Sequence, residues 1–266
     1  MTNWTTEICH ANGIDIHYLR TGGDKPSIVL LHGLMLSGAC WTPLARTLEK
    51  NYDVIMPDAR GHGYSSAPDH GYSYHNLAND VVSFIDKLGL DNPLLLGHSM
   101  GGMTATVVAM LQPQLLRGLI LADPSFLTPQ HQREINKSDL IEQHQKILAR
   151  SREDYLTEMQ IRHKRRTQEI VELFVHARFQ TSVNAFEILT PPNPDYKQMI
   201  SNLNVTSLLV IGDVGSVVSK SMAIELTELN QHLQAVQIAE AGHAVPYDQP
   251  ECFSAIVQTF LHAVSK

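Results

Sequence analysis

The feature that most limits what this chain can fold into is a series of short, uninterrupted apolar runs: SIVLLH (27–32), YDVIMP (52–57), PLLLGH (93–98), GLILAD (118–123) and SLLVIG (207–212). Runs without alternation are what strands buried on both faces require, and such strands occur in parallel sheets covered by helices on each side. AVQIAE (235–240) reads as a further strand. IDIHYL (14–19) alternates apolar with polar residues, so it belongs near an antiparallel edge. Helical patterns lie between the runs. From Tyr74 to Leu88, residues Leu77, Val81, Phe84, Ile85 and Leu88 recur at helical spacing, and Pro250 opens a last helix with Phe253, Ile256, Val257, Phe260 and Leu261 on one face. The chain is therefore expected to be an α/β protein with one large core.

One connection is too long. Some eighty residues separate GLILAD from SLLVIG, although a crossover needs only about a dozen. The segment 126–204 is rich in charged residues and helix formers until TPPNPDY (190–196) stops it, and it reads as a helical cap inserted in a core of residues 1–125 and 205–266. Its basic run RHKRR (162–166) fits either a solvated helix face or an attraction for an acidic substrate or carrier.

Composition removes several function classes. A net charge of −7 disfavours nucleic acid and anionic membranes as partners, both of which need a basic surface. The amino end MTNWTTEICHANG has no basic stretch followed by an apolar one, and no run approaches the roughly eighteen apolar residues of a spanning helix, so the cytoplasm is the expected compartment. Cys9, Cys40 and Cys252 form no paired motif and are expected to be reduced. Asp69, His70 and His75 cluster in a loop, but no HExxH or comparable ligand spacing occurs; neither metal nor cofactor is expected.

The chemistry begins at Gly97-His98-Ser99-Met100-Gly101, a G-x-S-x-G pattern between a buried strand and a helix of small residues. A sharp turn there would hold Ser99 in a strained conformation with its hydroxyl projecting, and the following helix would direct the Met100 N–H at an oxyanion beside it. A second donor is expected from HGLMLSGACW (32–41), where Gly33 leaves the Leu34 N–H open. His243, in AGHAVPYDQPECF (241–253), stands between the last strand and the last helix and suits a general base.

Taken in order, HGLMLSGACW, PDARGHGYSSAP, LLLGHSMGG and AGHAVPYDQPECF resemble the motifs of the α/β-hydrolase fold superfamily, over nearly the whole chain outside the cap segment. The resemblance implies a mostly parallel eight-stranded sheet with flanking helices and a cap after the sixth strand. It implies Ser99 as nucleophile, His243 as base, and the Leu34 and Met100 N–H groups as oxyanion hole. In PDARGHGYS (57–65) it implies a structural turn, with Asp58 and Arg60 expected to form an ion pair bracing it. Haloalkane dehalogenases and epoxide hydrolases of this fold carry aspartate at the nucleophile position, and Ser99 argues against both.

The acid behind His243 is the open question. Family members commonly place it after the seventh strand as the second acid of G-D/E-x-D, but LLVIGDVGSVVS (208–219) puts Gly215 there and Asp213 two residues early. Asp123 ends the sixth strand, where some thioesterases and lactonases of the superfamily carry their acid. Asp58 and Asp248 have structural explanations, the latter at a helix N-terminus. Asp123 is the favoured third residue, because one relocation explains both it and Gly215; Asp213 is the alternative. The expected function is hydrolysis of an ester, thioester or lactone on a small molecule. Phe174, Val175, Phe179, Phe186, Ile188 and Leu189 would either favour a largely apolar acyl or ring group or form the core of the cap. Carbon–carbon hydrolysis, lyase chemistry and a slowly turning-over ligand receptor use similar residues on this fold.

Overall fold

The computed structural model describes residues 4–264. Eight strands form one sheet: β1 (Thr5–Ala11), β2 (Ile14–Arg20), β3 (Ser27–Leu31), β4 (Asp53–Pro57), β5 (Leu94–His98), β6 (Gly118–Ala122), β7 (Ser207–Gly212) and β8 (Leu233–Ile238), in spatial order β1-β2-β4-β3-β5-β6-β7-β8. β2 pairs antiparallel with both β1 and β4, and every pairing from β4 through β8 is parallel. The sheet is the one expected from the apolar runs. Two details differ: TTEICHA, mostly exposed, adds the edge strand β1, and the last strand runs Leu233–Ile238, starting two residues before AVQIAE and ending two residues short of it, where Glu240 turns the chain with φ +55°.

Side-chain alternation divides the buried strands between two cores. Val29, Leu31, Leu95, Leu119, Leu121, Leu209 and Ile211 pack on one face against α2 (Tyr74–Lys87), α3 (Met100–Leu111) and α9 (Lys220–Leu229). Ile28, Leu30, Leu94, Leu96, Ile120, Leu208 and Val210 pack on the other against α1 (Thr42–Leu48) and α11 (Pro250–Val264). Ser73 caps α2 by accepting from the Asn76 N–H, and the helix buries Leu77, Val81, Phe84 and Ile85 as its spacing predicts.

Between β6 and β7 the chain forms α4 (Pro129–Asn136), α5 (Leu140–Leu148), α6 (Arg152–Arg162), α7 (Gln168–Phe179) and α8 (Tyr196–Ser201). A short α10 (Val245–Asp248) precedes α11. The helical segment is tied to the sheet layer at several points: Ser182 N–H donates to Gly61 O at 2.8 Å, Arg46 pairs with Glu169, and Arg166 pairs with Asp248 at 2.7 Å. No helix among the described residues is long and apolar enough to cross a membrane.

The expected Asp58–Arg60 ion pair does not form. Arg60 turns instead to Asp80 on α2, with two hydrogen bonds of 2.6 Å. Asp58 accepts from Gly38 N–H at 2.7 Å and Tyr64 N–H at 3.0 Å, and lies 2.7 Å from His17 Nδ1. Burial alone would raise the Asp58 carboxyl, but those hydrogen bonds and nearby His32 outweigh it and hold it below its usual range. The Asp58 oxygens are taken by those three groups, so the coplanar oxygens that meet the planar guanidinium are those of Asp80.

Candidate active site

Ser99 sits at the turn joining β5 to α3 with φ +54° and ψ −116°. A side chain held there costs about 1–3 kcal/mol, so the surroundings must enforce it. They do so by close approach: a Cβ on Gly97 would run into the Gly101 carbonyl, and one on Gly101 would run into the Leu31 carbonyl. The two glycines of the motif thus let strand, turn and helix pack closely enough to push the Ser99 hydroxyl outward.

His243 comes from the loop after β8. Its Nε2 lies 2.9 Å from Ser99 Oγ and its Nδ1 lies 2.6 Å from Asp123 Oδ2. The imidazole is 38% exposed, whereas the Asp123 side chain is fully buried at 0%, so solvent reaches the site past the histidine. Asp123 follows β6 with φ +38°, and its N–H remains in the sheet, donating to Val210 O at 2.8 Å. Its carboxylate also accepts from Val217 N–H on Oδ2 and Val218 N–H on Oδ1, both at 2.9 Å. Those donors belong to LLVIGDVGSVVS, the same loop whose usual acid position is Gly215. Asp213 is not at the histidine; its Oδ1 accepts from Ala241 N–H at 3.3 Å.

Two backbone segments expected to supply N–H donors lie next to this cluster. Met100 is the first residue of α3 and has no acceptor one turn back within the helix. Leu34 follows Gly33, on which a Cβ would lie 3.2 Å from Ser99 Cβ, so this loop touches the serine turn. Two buried histidines hold this loop and a third holds the His243 loop. His32 Nδ1 donates to Gly33 O at 2.8 Å, while His62 Nε2 accepts from Met35 N–H at 3.3 Å. His98 Nε2 donates to His243 O at 2.9 Å and so fixes the backbone that carries the imidazole. Burial, reinforced by neighbouring histidines, pushes His62 and His98 down to about 3, and burial lowers His32 as well; all three stay neutral and keep one tautomer.

The sequence pattern had no signal for these supports. His98 is an unspecified position of G-x-S-x-G, and His62 lies in a turn read as structural. Ser125, whose Oγ is 3.2 Å from Ser99 Oγ and whose N–H donates to Ser99 O at 3.1 Å, falls just past Asp123 in an unremarked loop. Asp248 does more than sit near a helix start: Oδ1 accepts from Arg166 and Oδ2 accepts from Gly242 N–H at 3.0 Å. Arg166 of the basic run is thus paired, while Arg162, Lys164 and Arg165 are exposed. Of the apolar cap residues, Val175, Phe186 and Ile188 are buried in packing. Phe174 is half-buried, packs edge-on to Tyr247 with centroids 4.8 Å apart, and joins a cluster with Leu36 and Ala244 beside the site.

A family model described as the alpha/beta hydrolase fold matches residues 26–250. The chain belongs to the α/β-hydrolase fold family. This hydrolase is 30% identical over 260 residues to an N-formylmaleamate deformylase of Pseudomonas putida, covering 94% of each chain. It is 28% identical over 267 residues to an sn-1-specific diacylglycerol lipase of Mus musculus, covering 93% of this chain and 85% of that one. The crystal structure of an N-formylmaleamic acid deformylase from Pseudomonas putida superposes with a TM-score of 0.79 at 25% identity, covering 95% of this hydrolase and 100% of that chain.

Proposed function

We propose that this α/β hydrolase cleaves an ester, thioester or lactone through an acyl-enzyme on Ser99, with α4 to α8 as a cap over the site. One observation carries the reading: the unbroken line from Asp123 Oδ2 to His243 Nδ1 at 2.6 Å and from His243 Nε2 to Ser99 Oγ at 2.9 Å. His243 takes the serine proton as Oγ attacks the carbonyl carbon, and Asp123 holds the imidazole in the tautomer that leaves Nε2 free to accept. The carbonyl oxygen becomes an oxyanion, met by the Leu34 and Met100 N–H groups. Collapse expels the leaving group, which takes the proton from His243. Water then enters, His243 removes its proton, and the acid product leaves with Ser99 restored.

The apolar part of the substrate lies against Phe174. The deformylase relative is named for an N-formyl compound, so an activated amide joins the three oxygen and sulfur acyl classes as a substrate to be tried. The test is a screen of short and medium acyl esters, thioesters, lactones and N-formyl amides, with Ser99→Ala as the comparison. Turnover in the parent with an initial burst of leaving group, falling by about a millionfold in Ser99→Ala, is the expected result. Activity that survives in Ser99→Ala overturns the mechanism, and tight ligand binding without turnover would assign the same residues to a receptor.

A further inference from the structure

Four arginines are not exposed: Arg20, Arg60, Arg166 and Arg178. The first three each meet an aspartate, namely Asp53 at 2.6 Å, Asp80 at 2.6 Å and Asp248 at 2.7 Å. Among the described residues no carboxylate pairs with Arg178. Its Nη1 donates to the Met35 thioether, and its Nε is buried without an acceptor. Burial pulls this guanidinium below its ordinary value, with only Tyr155 opposing the effect. A desolvated cation held by a weak sulfur acceptor is an unfavourable arrangement unless an anion completes it.

Its position says which anion. Arg178 lies one turn after Phe174 on the same face of α7. Phe174 packs on Tyr247, in a cluster that Ala244 of the His243 loop also joins, and Arg178 reaches Met35, next in the chain to Leu34. α7 therefore crosses the site from the histidine to the Leu34 loop, with an apolar contact at one end and a cation at the other. We infer that Arg178 is a substrate-recognition residue that binds a carboxylate carried beyond the scissile carbonyl. The inference rests on the hydrolase reading above and names the substrate class: a small acyl compound with an acidic tail.

The geometry of the guanidinium favours this ligand. When a carboxylate takes the place of the Met35 thioether, the Nη1 and Nη2 N–H groups at the end of the guanidinium match its two coplanar oxygens. Met35 is flexible and a poor acceptor, so an incoming carboxylate displaces it at small cost. A lysine would offer a point charge without that fork.

The experiment uses monoethyl esters of succinic, glutaric and adipic acids against ethyl butyrate, pentanoate and hexanoate, which keep the chain but lack the charge. Turnover is measured in the parent, Arg178→Gln and Arg178→Lys; binding of the same esters is measured calorimetrically in Ser99→Ala with and without Arg178→Gln. A bidentate charge-assisted contact contributes about 10- to 100-fold, so kcat/KM in the parent should favour the acidic ester by that factor at the chain length that spans the site. Arg178→Gln should remove the preference, so that the ratio of kcat/KM for acidic over neutral ester falls to about one, and Arg178→Lys should restore part of it. Equal handling of acidic and neutral esters by the parent, or an equal loss for both in Arg178→Gln, overturns the inference. If no ester is turned over but the Ser99→Ala protein binds the acidic ones in an Arg178-dependent way, the hydrolase reading fails and the arginine site stands. If no Arg178-dependent binding occurs at any chain length, the arginine site fails whatever the turnover.

Discussion

The Asp123 carboxylate meets only hydrogen-bond donors. Val217 N–H, Val218 N–H and His243 Nδ1 all converge on its two oxygens, so every neighbour is a donor. Asparagine would present one oxygen and one NH2 to three donors, leaving an N–H against an N–H wherever it turns. Asp123→Asn should therefore lower kcat by roughly ten-thousandfold, the loss seen when an orienting carboxylate becomes an amide in a serine triad. Asp213→Asn keeps an oxygen for Ala241 N–H, and its kcat should stay within about tenfold of the parent. Steady-state kinetics on any ester the parent turns over checks both; collapse in Asp213→Asn alone would reverse the assignment of the acid. This part of the site was legible in the sequence because a strand-end acid and a glycine in the usual acid position pointed the same way. The Asp58–Arg60 pair was misread because their nearness along the chain said nothing of Asp80, which arrives from another helix. Arg178 gave no signal at all, since what distinguishes it is the partner it lacks.

The serine turn is a strained element held by packing, and the strain can be measured without confusing it with catalysis. Ser99→Ala and Ser99→Gly both lose the hydroxyl, but alanine keeps a Cβ at φ +54° while glycine does not. Ser99→Gly should be more stable than Ser99→Ala by about 1 kcal/mol, the strain relief exceeding the extra freedom glycine has in the unfolded chain. Urea unfolding of the two variants reads the difference, and an alanine variant as stable as the glycine one would mean the turn is relaxed. Buried strands and amphipathic helices were legible for the reason that also makes them stable: their apolar residues repeat with the period of the element. β1 was not, because most of its residues are exposed and it owes its place to pairing with β2.

Across the molecule, neutral buried histidines couple folding to pH. His62 and His98 titrate at about 3 when folded, against roughly 6.5 in an unfolded chain. Below pH ~6.5 the unfolded state takes up protons that the folded state refuses, so stability is full above that value and falls as the pH drops. Each residue contributes a slope of up to about 1.4 kcal/mol per pH unit. Urea midpoints between pH 6.5 and 5, above most of the carboxylate range, should fall steadily in the parent and less steeply in His62→Gln. An unchanged slope in that variant would remove His62 from the account.

The clamp on Asp123 has a further consequence, for the order in which the molecule becomes competent. Asp123 and the Val217 and Val218 amides that grip it are 94 and 95 residues apart, with the whole helical segment between them, and His243 comes later still. On the proposed assignment of roles, a growing chain that has already made Leu34, Ser99 and Met100 holds Asp123 without its clamp and lacks His243. The cluster closes along a seam between the first and last parts of the chain, so under the proposed mechanism a partly made protein holds a serine that nothing activates.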